Sequence, residues 1–149
     1  MTQNPLELAT IEAAKFLKSR SFFTSEVRKH LLARGFETDI ADQVIQNFIG
    51  RRFLDDERDA RDFVRARTTK GWGPYKIRTQ LIAKGVEEST IDQVLAEPVE
   101  QEVDRAIQVL VKARKPADRA KCARFLFSRG FDSDVITEAV ASYCREIEE

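Results

Sequence analysis

Apolar residues recur along this chain at helical spacing, three or four positions apart, and never with the sustained alternation of a half-buried strand. Leu6, Ala9, Ala13, Phe16 and Leu17 share one side of a helix, as do Val99, Val103, Ala106, Ile107 and Leu110. A shorter stripe runs through Ala60, Phe63 and Val64. Asp55, Asp56 and Glu57 open it, and carboxylates there suit the positive end of a helix dipole. The expectation is an all-α protein.

The pattern also repeats. LLARGF with Gly35, LIAKGV with Gly85 and FLFSRGF with Gly130 align on their glycines at spacings of 50 and 45 residues, which suits helical repeat units. Four residues before each glycine stands Leu31, Leu81 or Leu126, and ten after it Ile45, Leu95 or Val140. Such a glycine, preceded by Arg34, Lys84 or Arg129, reads as a helix stop. Glycine takes the left-handed conformation cheaply, and a cation suits the negative end of the helix. A Schellman cap predicts the contacts Phe36–Leu31, Val86–Leu81 and Phe131–Leu126. New helices are then expected to start at Thr38, Ser89 and Ser133, whose hydroxyls can cap exposed N–H groups, and Pro74 and Pro116 are expected to sit in the first turns of middle helices. The spacing predicts nine helices in three tandem three-helix repeats, residues 1–52, 53–97 and 98–149, with hinges near 50–54 and 96–98. Units this small must lean on one another, so an elongated, curved array is expected.

Composition narrows the class. With 149 residues, 42% hydrophobic and 34% charged, and only 6 Gly and 4 Pro, the chain is neither collagen-like nor low-complexity. No apolar run approaches the ~18 residues of a membrane span. The opening MTQNPLELAT lacks a signal peptide's charged head and apolar middle, so a soluble cytoplasmic protein is expected. Cys122 and Cys144, without a CxxC pattern, point to neither a disulfide framework nor a zinc site. Cys122 falls in the slot of Val27 and Ile77 and reads as a core residue.

The net charge of zero conceals blocks. Residues 51–86 carry 10 basic and 5 acidic groups, 87–104 carry 0 and 7, 105–129 carry 8 and 1, and 130–149 carry 1 and 6. A Debye length near 8 Å lets a partner feel each block separately. Catalysis finds little support. The single histidine, His30, lies mid-helix without a metal-binding context, and no phosphate-cradling glycine loop is present. A binding protein is expected, with no catalytic residue, metal or cofactor.

Residues 54–86 are the richest in candidate contacts. Arg58, Arg61 and Arg65 form a stripe opposite Ala60, Phe63 and Val64, followed by Arg67, Lys70, Trp72, Tyr75, Lys76, Arg78 and Lys84 around a Gly-Trp-Gly-Pro turn. These residues suit a platform for phosphates or for an acidic protein groove. Solvated helix faces, with Trp72 packed between helices, are the plainer alternative.

This stretch resembles the second repeat of the RecX family of bacterial recombinase regulators. The shared features are Leu54-Asp55-Asp56, Ala60, Phe63, Val64 and Arg67, then Lys70-Gly71-Trp72-Gly73-Pro74, Ile77, Leu81 and Lys84-Gly85-Val86. The resemblance spans nearly the whole chain, since that family also consists of three tandem three-helix repeats. Asp59 stands where an aromatic residue is usual, and the third copy has Lys115-Pro116 in place of the GxGP turn. The resemblance implies a non-enzymatic regulator of DNA repair, recombination and the SOS response. It would bind the RecA filament on single-stranded DNA and limit ATP hydrolysis, strand exchange and co-protease activity. A monomer without membrane attachment is expected. A direct DNA binder using the same cations, or a helical-repeat adaptor for another protein, remain alternatives.

Overall fold

The computed structural model describes residues 4–20 and 22–148. All regular structure among the described residues is helical: α1 (Pro5–Leu17), α2 (Thr24–Ala33), α3 (Thr38–Gly50), α4 (Asp56–Thr69), α5 (Pro74–Ala83), α6 (Glu88–Leu95), α7 (Val99–Lys112), α8 (Arg119–Arg129) and α9 (Ser133–Glu148). They form tandem three-helix repeats. No helix among the described residues is long and apolar enough to cross a membrane.

The three aligned glycines end α2, α5 and α8 as their sequence context predicts, at φ of 91°, 80° and 94°. Each stop is closed by the Schellman pair of hydrogen bonds. Phe36 N–H donates to Leu31 O and Gly35 N–H to Leu32 O, and the pattern recurs at Val86–Leu81 and Gly85–Ile82, then at Phe131–Leu126 and Gly130–Phe127. Gly71 closes α4 in the same way. So do two arginines held at positive φ, Arg52 (60°) after α3 and Arg114 (53°) after α7.

Helices α3 and α9 begin at Thr38 and Ser133 as expected and α6 one residue ahead of Ser89, but the capping role departs from expectation. Thr38 and Ser133 are already helical, Ser89 is the second residue of α6, and the first carbonyls accepting helical bonds belong to Glu37, Glu87 and Asp132. Two residues, Phe36-Glu37, Val86-Glu87 or Phe131-Asp132, separate each stop glycine from the next helix, so the hydroxyls fall inside the first turn. Pro116 likewise lies outside α8, which begins at Arg119 and is capped by Asp118 accepting from Lys121 N–H at 3.1 Å. Pro74 is the first residue of α5. Val99, expected on an apolar face, is 56% exposed.

Contacts gather the chain into two bodies. The first comprises residues up to Asp62 with Leu81–Ile91, the second Phe63–Gln80 with the chain from Asp92 onward. In the first, Ala9, Ala13, Val27, Leu31, Ala41 and Val44 are wholly buried. In the second, Ala106, Leu110, Cys122, Leu126, Ala139 and Cys144 are. Each buried Leu or Val contributes about 1.5–3 kcal/mol, so the apolar stripes hold the repeats together. His30 serves this packing: its ring stacks on Phe16 at 3.9 Å and its Nε2 lies 3.0 Å from Glu12. That hydrogen bond, above all, holds the Glu12 carboxyl below its ordinary pKa.

Candidate functional site: a cationic cleft beside Trp72

In the second body, the turn between α4 and α5 is seated on the end of α8. Gly73 N–H donates to Arg129 O at 2.6 Å and Tyr75 N–H to Gly130 O at 2.9 Å. A methyl group on Gly73 would lie 2.5 Å from the Gly130 carbonyl carbon, so only glycine permits this approach. Pro74, lacking an N–H, sits between the two donors. The seating brings residues some fifty positions apart around one indole. Lys76 Nζ stands 5.0 Å and the Arg129 guanidinium 4.9 Å from the Trp72 ring centre. Arg129 also lies 4.9 Å from the Phe125 ring, which Lys115 approaches at 4.2 Å. Cation–π contacts of this kind contribute about 0.5–1 kcal/mol each at exposed sites, enough to bias where these flexible cations point.

Beside Trp72 opens a cleft of about 310 Å³ lined by Lys70, Arg105, Lys112, Phe125 and Arg129, with Val109 and Phe131 as apolar lining. No acidic residue is among its described lining residues. Lys70 and Lys112 are exposed. Arg105 pairs with Glu97, yet its Nε–H is buried with no hydrogen-bond partner among the described residues. A buried donor left unpaired costs about 1–3 kcal/mol. The cleft suits an anionic ligand with an apolar portion.

The residues anticipated from sequence divide between several settings. Lys70, Trp72 and Lys76 meet at or beside the cleft, with Tyr75 exposed nearby on α5. Arg67 lies over the Phe63 ring at 4.6 Å, and Arg65 is exposed on α4. Arg78 pairs with Asp92 at 2.7 Å. In the first body, Arg58 and Arg61 have side chains 46% and 52% exposed and pair with Asp59 at 3.3 Å and Glu57 at 2.9 Å. Asp59, only 10% exposed, has its pKa raised by burial. Lys84 pairs with Glu26 at 3.4 Å. Sequence reasoning missed Arg105, Lys112, Phe125 and Arg129. The one available signal was the basic block at 105–129, and no local pattern ties it to Trp72.

The fold and cleft define an all-α helical-repeat protein with a cationic recess. Residues 55–95 match the model described as RecX, second three-helix domain, and residues 100–140 that of the third three-helix domain. The third copy is thus recognisable despite lacking the GxGP turn. A protein named Regulatory protein RecX from Chromohalobacter salexigens is 35% identical over 139 residues, covering 87% of this chain and 89% of its own. One of the same name from Thermus thermophilus is 35% identical over 127 residues, covering 85% and 86%. The crystal structure of RecX from Lactobacillus salivarius superposes with a TM-score of 0.83 at 18% identity over 93% of this chain and 96% of that one, a likeness of fold. The chain belongs to the RecX family of regulatory proteins.

Proposed function

We propose that this protein docks on the RecA filament formed on single-stranded DNA and restrains its ATPase, strand-exchange and co-protease activities, catalysing no reaction itself. It would act in the cytoplasm as a monomer. Family membership supports the regulatory part of this reading, and the cationic cleft of Trp72, Lys70, Lys112 and Arg129 is the observation that carries the docking part. Aromatic side chains and arginines dominate binding energy at protein interfaces, and both converge there. Arg58, Arg61 and Arg65 on α4 would add electrostatic attraction.

The test is the DNA-dependent ATPase of RecA. Substoichiometric amounts of the purified protein slow it, and Arg61→Glu with Arg65→Glu weakens the effect while helix content stays unchanged. No slowing at any ratio up to saturation would remove this reading. Direct DNA binding is the competing possibility, and zero net charge speaks against it, since dedicated DNA binders are usually net basic. Counterion release makes log K fall with log salt by about 0.7 per neutralised phosphate on a single strand. Tight, steeply salt-dependent binding to naked DNA would favour that competitor.

A further inference from the structure

We propose that the cleft beside Trp72 receives an acidic peptide segment of a protein partner, its carboxylates on Lys70, Lys112 and Arg105 and an apolar side chain against Val109. This rests on the reading that the protein works by docking on another protein, and it names the recognition chemistry. Three observations support it. The first is charge: four cations and no acid are among the described lining residues, and Arg105, though paired with Glu97, has a buried Nε–H with no hydrogen-bond partner among the described residues.

The second is that the rings hold cations. A single-stranded nucleic acid is gripped by bases stacking on clear aromatic faces. Here the Trp72 and Phe125 centroids each have two cations within 5.0 Å. These rings position side-chain charges, an arrangement suited to fixing carboxylates. The third is size. About 310 Å³ lies at the lower end of ligand-pocket volumes and admits a few side chains. The apolar Val109 gives an acidic peptide something a bare phosphate chain would not use.

The experiment titrates the full chain with a fluorescein-labelled peptide repeating Asp-Glu-Leu and follows anisotropy. Emission of Trp72, the only tryptophan, locates binding. The comparison probes are the Asn-Gln-Leu peptide and an oligo(dT) of equal charge at the same ionic strength. The expected result is saturable binding of the acidic peptide with a change in Trp72 emission. The amide peptide shows none, and oligo(dT) binds more weakly. Lys70→Glu with Lys112→Glu weakens peptide binding about tenfold, the scale of reversing two partly exposed charge contacts. Should that variant not fold, raising salt on the wild-type chain supplies the same test, since screening must weaken a carboxylate contact.

Equal binding of the amide peptide, tighter binding of oligo(dT), an unchanged affinity in the folded variant, or an unchanged affinity in salt would each overturn the proposal. Loss of peptide binding with RecA ATPase still slowed refutes the cleft's role alone. Peptide binding without any effect on the ATPase refutes the filament reading alone.

Discussion

The two ends of α5 make two joints that differ in kind, although both sit at a glycine helix stop. In the first body, the stop of α5 meets the start of α2. A methyl group on Gly85 would lie 2.3 Å from Ser25 Oγ and 2.5 Å from its Cβ, and Lys84 reaches Glu26. In the second body, the start of α5 meets the stop of α8 through two main-chain hydrogen bonds, and a methyl group on Gly130 would lie 2.6 Å from the Lys76 amide nitrogen. One joint is made by side chains, the other by backbone. At Gly35, the first of the three aligned stops, no atom of the described residues beyond its chain neighbours lies within 4 Å of where a methyl group would sit. The three backbones share nearly the same φ, so the surroundings alone separate them. The backbone joint is the one that builds the Trp72 cleft.

Alanine substitutions should therefore separate these positions. Gly130→Ala adds a backbone collision to left-handed strain and should cost roughly 3–4 kcal/mol, read as a fall in the denaturant midpoint. Gly73→Ala carries the collision without positive φ and should cost about 1–3 kcal/mol. It should also shift Trp72 emission, because the turn can no longer seat on α8. Gly85→Ala should cost somewhat less than Gly130→Ala and be partly rescued by Ser25→Gly, which no change of side chain could do for a backbone clash. Gly35→Ala should cost only the conformational strain, about 1–2 kcal/mol. Equal losses at Gly35 and Gly130 would break the distinction.

Smaller effects sharpen it. Arg52→Gly and Arg114→Gly relieve positive φ at stops without an aligned glycine and should each stabilise by a few tenths to about 1 kcal/mol. Away from both joints, the folded pKa of Glu12 is lowered, chiefly by the His30 hydrogen bond. Its contribution is present above the ordinary glutamate pKa and is lost as pH falls through the lowered value. Glu12→Gln should therefore lower the thermal midpoint slightly at neutral pH, with the difference closing in acid.

Much of the fold was legible because its signals are local. A leucine four residues ahead of a glycine, a basic residue before it and an apolar residue after it specify a Schellman stop wherever they occur, and all three predicted stops formed. The first-turn placement of Pro74 and the burial of Cys122 are local inferences of the same sort. The helices began at or within one residue of Thr38, Ser89 and Ser133, but the capping role slipped to the residue ahead of each helix, because the two-residue link after each stop is a geometric fact that residue preferences do not reveal. The cleft was half legible. Lys70, Trp72 and Lys76 advertise themselves by mixing cations with an aromatic. Arg129 and Phe125 reach them only because Gly73 and Gly130 let two backbones touch, and Gly130 looks locally like Gly35, beside which the described residues leave open space.

Docking on a filament in preference to its components is the central claim, and co-sedimentation tests it most directly. The chain is spun with RecA–single-strand DNA filaments, with free RecA and with naked DNA at one salt concentration. It should pellet with the filaments and stay in solution with either component alone. Pelleting equally with naked DNA, or failing to pellet with filaments, would contradict the account.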